Sequence, residues 1–440
     1  MSQRASIASL RTRVAHLLNS LTARNATSSF VALAWLSILS MLTIPIYIRM
    51  LGVSEWGLVA ACVSLQILSN FIDAGFSQIV PRWAAQEAQH PARLHQYVAL
   101  FRRLYLGLGL AMFMLIQASA GYLAQQWFQV PADRAAALEL AIRIVSFQLL
   151  FQFVNNLHIG LWHGLQRQVF ANVRACGFGT LKHACALLAL HLVSPQAWVY
   201  AIAFASVACL EVCVNAISVR RLLGMGFAVQ IGDRVALAPL LKEVSVLSGG
   251  ILVGLLVSQL DRIILSRSVD IASFGIYTVV ATLALAFLQL QAPVTRAYFP
   301  VIVRDIQKHG RVSGNHMKKM LIGTLLTCTL PALITCAFAP QVLELWLRDP
   351  KVVALGTEPL RLLLLAMALN SVYGCIYQTI IAKGQSRRVL EFNLISLAVA
   401  ALVITLWGKD DTLALGGAIW ISITSTQLIL GTIWFAKSQR

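Results

Sequence analysis

Acidic residues are scarce: Asp and Glu number 17 in 440 residues, and charged residues of all types make up only 12%. Soluble domains carry about 25% charged and about 45–50% apolar residues. Here the apolar share is 58% and the mean hydropathy +0.75. This excludes a water-soluble globular chain, a disordered chain and a coiled coil, and implies an integral membrane protein. The eight cysteines include no C-x-x-C pair and lie within or beside apolar runs, so they read as small buried hydrophobes. No G-x-x-x-x-G-K-[ST] phosphate loop occurs, and no polar segment is long enough for a nucleotide-binding domain.

What the chain has instead is a series of long apolar runs. A bilayer core about 30 Å thick takes ~20 helical residues. Twelve such runs are predicted, over 27–48, 56–80, 98–120, 136–162, 170–192, 197–219, 245–266, 274–300, 319–340, 359–381, 389–407 and 413–434. They are continuous, whereas a transmembrane β-barrel would show ~10-residue alternating segments. The formal charge of +18 would suit a nucleic-acid partner, but the basic residues sit in small clusters between the runs. Of the 35 Lys and Arg, 25 fall at the termini and the even-numbered connections, among them Arg102, Arg103, Lys182, Arg220, Arg221, Lys318 and Lys319. This asymmetry predicts both termini in the cytoplasm and excludes nucleic acid as the reason for the charge. Residues 1–25 alternate Arg4, Arg11, Arg13 and Arg24 with apolar residues at helical spacing, which predicts a basic amphipathic helix on the cytoplasmic membrane face. The expected division is then 1–25, a six-helix lobe over 26–222, a cytoplasmic linker over 223–243 and a second six-helix lobe over 244–440.

A shift of 218 residues lays Arg49–Leu58 on Arg267–Ile276, matching Arg49 with Arg267, Val53 with Ile271, Trp56 with Phe274 and Gly57 with Gly275. Six spans per half keeps the two copies parallel. The stretch Ile48-Arg-Met-Leu-Gly-Val-Ser-Glu-Trp-Gly-Leu58, followed by Asn70-Phe-Ile-Asp-Ala-Gly-Phe-Ser-Gln78, resembles the first two helices of the polysaccharide transport family, which includes the O-antigen flippases. Leu260-Asp-Arg-Ile-Ile-Leu265 with Phe274-Gly-Ile-Tyr277 is the second-half counterpart. The resemblance implies an all-α fold of twelve transmembrane helices in two parallel-repeat lobes around a central cavity. It also implies alternating access, without nucleotide hydrolysis, that moves an undecaprenyl-pyrophosphate-linked oligosaccharide from the cytoplasmic to the periplasmic leaflet of a bacterial inner membrane.

Ionisable groups at membrane depth are costly, so each is a functional candidate. At 1.5 Å per residue, Asp73 lies about 27 Å along span 2 and Arg296 about 33 Å along span 8, both toward the cytoplasmic mouth. Arg82, Arg296 and Arg304 would offer phosphate bidentate donors there, or would simply anchor the protein at the basic face. Asp261, with Arg262 beside it, lies about 24 Å along span 7. It would exchange H⁺ or bind Na⁺, or else form a static ion pair. Glu211 in span 6 is a second deep acid, with a hydrogen bond to Asn215 or Ser206 as the alternative. Gln148, Gln152, Asn155 and Asn156 make a polar stripe on span 4, and Gln66, Asn70, Asp73 and Ser77 another on span 2. Such stripes line a wet cavity that binds sugar hydroxyls, or glue helices together.

The candidate substrate-binding residues are therefore Arg296, Arg82, Asn70, Gln148, Gln152, Asn155 and Asn156, and the candidate ion-coupling residues Asp261, Arg262, Asp73 and Glu211. No catalytic residue, metal or cofactor is expected beyond a coupling H⁺ or Na⁺. The partners expected are the lipid-linked oligosaccharide, membrane lipids, and the polysaccharide polymerase and chain-length machinery. The alternatives are a cation-coupled multidrug antiporter of the same superfamily and a membrane polysaccharide polymerase or ligase. The last is disfavoured because the expected external loops are too short to hold acceptor sugars.

Overall fold

A computed structural model describes residues 21–73, 75–224, 237–407 and 412–438. The amphipathic helix expected over 1–25 lies almost wholly outside the described residues, and the linker expected over 223–243 largely so. Eleven helices among the described residues are long and apolar enough to cross a membrane. Their exposed positions carry large apolar side chains, such as Leu42 and Met114, which suits lipid as the surrounding solvent. The protein is a multi-pass integral membrane protein.

The first membrane-length element, Arg24–Asp73, contains the first predicted span and most of the second. Within it α1 (Leu21–Ser64) loses helical geometry at Gly52, whose φ of 75° and ψ of 164° suit a residue without a Cβ. Short helices α2 (Gln66–Asp73) and α3 (Phe76–Gln86) complete the second predicted span. Next come α4 (Pro91–Tyr122), α5 (Ala132–Gly164), α6 (Gln168–Leu192) and α7 (Ala197–Leu223). After the linker follow α8 (Leu237–Ser268), α9 (Ile271–Gln289) and α10 (Ala292–His309). The remainder is α11 (Gly314–Thr324), α12 (Leu330–Ala337), α13 (Ala339–Leu347), α14 (Pro350–Ala382), α15 (Ser386–Trp407) and α16 (Ala414–Ser438).

Three predicted spans depart from regular α-helix. Span 2 is interrupted at residue 65 and at Gly75, and span 8, continuous over Ile271–His309, tightens at Leu290 and Gln291, whose N–H groups bond to the carbonyls three residues back, just before Pro293. Span 9 carries a π-helical turn over Leu325–Thr329, and α4 ends in another over Leu123–Trp127. Hydropathy registers apolarity alone, so interruptions of the backbone ladder are invisible to it. Pro293 marks one of them by lacking the N–H that a continuous helix would use.

The chain forms two compact units: residues 1–46, 68–120 and 140–248 in one, and Tyr47–Ile67, Gly121–Glu139 and Gly249–Arg440 in the other. In the second unit, three connections pack on one another. Gly57 and Gly275 meet backbone to backbone: a Cβ on Gly275 would stand 2.8 Å from the Gly57 Cα, and one on Gly57 would collide with the Ile271 carbonyl oxygen. The Ile271 N–H donates to the Gln129 carbonyl at 3.0 Å, and Gln129 Nε2 donates to the Arg267 carbonyl at 3.1 Å. Trp127 donates to Ser266 Oγ at 3.0 Å, and Arg134 pairs with Glu55 at 2.5 Å. Trp56 is buried and stacks on Tyr47 at 5.9 Å. Asp270 caps α9 by accepting from the Ala272 and Ser273 N–H groups.

Candidate functional site

The first unit holds two buried polar clusters. Asp73 ends α2 where the helix breaks. Its carboxylate accepts from the Tyr105 hydroxyl on α4 at 2.8 Å and from Asn156 Nδ2 on α5 at 3.0 Å. Among the described residues no cation pairs with it. A carboxylate offers only acceptors, so two neutral donors satisfy one lone pair on each oxygen and leave its charge without a counter-ion.

The second cluster is a chain of hydrogen bonds across α5, α6 and α7. Lys182 Nζ donates to Glu211 Oε2 at 2.7 Å, and Asn155 Nδ2 donates to Glu211 Oε1 at 3.0 Å. Asn215 Nδ2 donates to Asn155 Oδ1 at 2.8 Å, while Arg174 donates to Asn215 Oδ1 at 2.7 Å and lies over the Phe170 ring. Glu211 is therefore held by a lysine and an amide rather than by Asn215 or Ser206. Charge counting assigns Lys182 to the cytoplasmic side. The structure instead places it fourteen residues into α6, about 21 Å from the start of the helix at 1.5 Å per residue. A lysine so deep in an apolar run is itself the signal that a carboxylate faces it.

In the second unit Asp261 is 3% exposed and accepts from the Tyr277 hydroxyl at 2.5 Å. Its Oδ1 has no hydrogen bond of good geometry, although the Trp420 indole lies against the same carboxylate. Arg262 is half-buried beside it. A Cβ on Gly416 would strike the Tyr277 ring, so that glycine allows α16 to press the phenol toward Asp261. Tyr105 does not stand out in the sequence, because a tyrosine in an apolar run reads as packing, and Tyr277 does so only as the end of the Phe274–Tyr277 match, with no sign of its partner.

The remaining candidates are distributed as follows. Asn70, Arg82 and Arg296 are exposed, and Gln148 and Gln152 are half-buried. Among the described residues, the side chains of Asn70, Gln148 and Gln152 make no hydrogen bond. Asn155 and Asn156 are spent on Glu211 and Asp73. The span 4 stripe thus divides: its later amides bond to neighbouring helices, and its earlier ones are available to water or a ligand. No cluster of His, Cys, Asp or Glu suited to a metal ion occurs among the described residues.

The profile of a family described as polysaccharide biosynthesis protein matches residues 22–306. The chain belongs to that family. The lipid II flippase MurJ, in an inward closed conformation, superposes with a TM-score of 0.71 at 12% identity, over 93% of this chain and 86% of MurJ. An outward-facing multidrug resistance MATE transporter gives a TM-score of 0.67 at 14% identity, over 96% of each chain. A MOP superfamily transporter from Pyrococcus furiosus gives 0.65 at 14% identity, over 93% of this chain and 95% of the other. The purine ribonucleoside efflux pump NepI of Escherichia coli is 34% identical over 84 residues, which cover 19% of this chain and 21% of NepI. The chain thus spans about a fifth of that curated relative. At 12–14% identity these solved transporters show that the chain shares their fold.

Proposed function

We propose that the protein is a flippase that carries an undecaprenyl-pyrophosphate-linked oligosaccharide, such as an O-antigen or other polysaccharide repeat unit, from the cytoplasmic to the periplasmic leaflet of a bacterial inner membrane. Counting α1 as two spans, the architecture is twelve transmembrane helices in two parallel six-helix halves, 26–222 and 244–440, with a central cavity and both termini cytoplasmic. The observation that carries this reading is the family match combined with the unpartnered amides of Asn70, Gln148 and Gln152. Side-chain amides at membrane depth need water or sugar hydroxyls as partners. Arg82 and Arg296 supply bidentate donors for the pyrophosphate on its entry from the cytoplasm.

Alternating access accounts for the packed connections at one end. In this reading the Gly57–Gly275 contact and the Gln129–Ile271 bridge belong to a periplasmic gate and part during the transport cycle. Ion coupling falls to the buried acids, Asp261 with Arg262 beside it and Asp73. Glu211, which already has Lys182 as its cation, is less free to exchange one. The polymerase and chain-length machinery act on the product at the periplasmic face. The MATE-like fold supports a second reading, a cation-coupled multidrug antiporter.

Deleting the gene separates the two. The flippase reading expects lipid-linked repeat units to accumulate on the cytoplasmic leaflet, with loss of surface polysaccharide and a partial version of the defect in Arg296→Ala. Normal surface polysaccharide in a strain with no second flippase, together with new sensitivity to cationic drugs, would establish the antiporter instead.

A further inference from the structure

Three helices of the first unit bring basic side chains together near one membrane face. The His95 ring bonds to the Leu223 carbonyl at 2.7 Å, which joins the start of α4 to the end of α7. Arg102 follows His95 by two turns on the same face of α4, and Arg220 precedes Leu223 by one turn on the same face of α7. Both arginines are half-buried, and both lie close enough to His158 on α5 to act on its charge. His158 is only 7% exposed, and its Nδ1 has no hydrogen-bond partner. One turn further along that face of α5, Trp162 is buried too, with its indole N–H unpartnered.

This set is rich in donors and poor in acceptors. Guanidinium and indole groups donate hydrogen bonds and never accept them. Arg102 makes no hydrogen bond or ion pair among the described residues, and both charges that act on His158 are positive. Asp73, one turn deeper, is held by Tyr105 and Asn156 instead. Water would satisfy the donors without bringing a counter-charge, whereas an oxyanion supplies acceptors and charge together.

Depth selects the oxyanion. Arg102 stands four residues inside the predicted start of span 3, His158 four inside the predicted end of span 4, and Arg220 one beyond the end of span 6. At 1.5 Å per residue all three lie within about 6 Å of the same edge of the hydrocarbon, and the headgroup layer extends about 5–7 Å beyond that edge. An arginine stem bridges the difference. A phospholipid therefore reaches the site with its phosphate in its own layer and its chains in lipid. No acid acts on His158 among the described residues, so a choline or ethanolamine finds no partner beside it, and a headgroup of net negative charge is favoured.

We propose that Arg102, His158 and Arg220 hold the phosphodiester of an anionic phospholipid, at a site distinct from the arginines assigned to the substrate, Arg82 and Arg296. Arg102 and Arg220 donate to the phosphate oxygens from α4 and α7, and the His158 Nδ1–H donates from α5. The bound headgroup ties the three helices together at that face.

The test uses purified full-length protein in neutral maltoside micelles, titrated with dioctanoylphosphatidylglycerol and followed by thermophoresis. Parallel titrations use dioctanoylphosphatidylcholine, inorganic phosphate and farnesyl pyrophosphate. Phosphatidylglycerol is expected to bind about tenfold or more tightly than phosphatidylcholine or inorganic phosphate. Arg102→Gln and His158→Phe should each weaken it about tenfold or more, as for one lost hydrogen bond to a charged group. Arg103→Gln makes the same charge change at the exposed neighbouring residue and should alter the affinity less than about twofold. An equal loss in Arg103→Gln would mean diffuse attraction by the basic face. Equal affinity for phosphatidylcholine or inorganic phosphate would mean that no anionic headgroup is selected. Tighter binding of farnesyl pyrophosphate, lost in Arg102→Gln, would give these residues to the substrate. Each of these results overturns the site. Should the variants fail to fold, wild-type protein photolabelled with a headgroup-diazirine phosphatidylglycerol decides: adducts on the peptides of Arg102, His158 or Arg220 support the site, and adducts confined to other helices overturn it. Transport enters none of these readouts, so the outcome is independent of the flippase reading.

Discussion

Removing the cation from the Lys182–Glu211 pair tests whether Glu211 is a strut or a coupling acid. At 2.7 Å and an effective dielectric constant of about 20, the gross attraction is about 6 kcal/mol, most of it offset by desolvation of both ions. Breaking a fully buried pair costs about 3–5 kcal/mol because a charge is stranded. The side chains are 18% and 11% exposed, so water softens the loss, and Lys182→Met should destabilise the protein by about 2–3 kcal/mol. Glu211→Gln keeps an oxygen for Asn155 and strands a flexible lysine, which should cost about 1–2 kcal/mol. The double variant Lys182→Met/Glu211→Gln strands nothing. It should be more stable than the sum of the two losses predicts, by about 2 kcal/mol. Reversible unfolding in mixed micelles, read for wild type, both singles and the double, measures that coupling. Additivity within about 0.5 kcal/mol would refute the reasoning. Transport by the double variant at matched protein levels supplies the functional half: retained transport makes the pair structural, and lost transport returns Glu211 to ion coupling.

Four further outcomes are expected. Asp261→Asn should impair transport while leaving membrane insertion intact, and unchanged transport across about pH 6 to 8 would make Asp261 structural. Tyr277→Phe removes the donor to Asp261 and should cost about 1.5–3 kcal/mol, as for a hydrogen bond to a charged group, measured in the same unfolding assay. Gly275→Val should force the closed connections apart at a cost of about 1–3 kcal/mol, raising maleimide labelling of a cysteine placed at Val53; unaltered labelling would mean that the close approach of Gly57 and Gly275 is not needed for closure. A cysteine in place of Lys308 should react only from the cytoplasm, and labelling from the periplasm would invert the topology.

The all-α membrane class was legible because it depends on the apolar content of long windows, which the sequence carries directly, whereas the twelve runs appear as eleven membrane-length helices among the described residues. The Gly57–Gly275 match was legible for a similar reason, since two backbones pressed together tolerate only glycine and leave that mark in both copies. Buried pairing was not. Which helix meets which at membrane depth is set by packing, so the partners of Glu211 and Asp73 lie 29 to 83 positions away, with no local signal. Lys182 was the exception, a charge deep in an apolar run, and topology counting absorbed it because that method asks only which connection a basic residue is nearest. Asp73 read only as a member of the span 2 polar stripe, because its donors Tyr105 and Asn156 come from other helices.

The two halves also act as controls for each other. A buried polar group that the fold alone requires has reason to occur in both copies, whereas one that serves a directed process has reason to occur in one. Asp73 is answered by Gln291, and Asp261 by Thr43, which is buried and donates to the carbonyl of Leu39 in its own helix. Lys182 and Glu211 are answered by Ala400 and Ile429, so the second half lacks that pair entirely. Where an acid is replaced by a neutral hydrogen-bonding residue, the position stays polar and loses its ability to change charge. Where the whole pair is replaced by apolar residues, the helices pack without it. By this comparison the charge of Asp73 and Asp261 belongs to one half only, and the neutral residue opposite makes a different contact: Thr43 bonds within its own helix and Gln291 donates to the Ser371 carbonyl. A Thr43→Asp exchange would test that comparison: insertion and folding should survive it if the position is merely a neutral copy of Asp261. Unfolding would show that the first half has no space for an acid there.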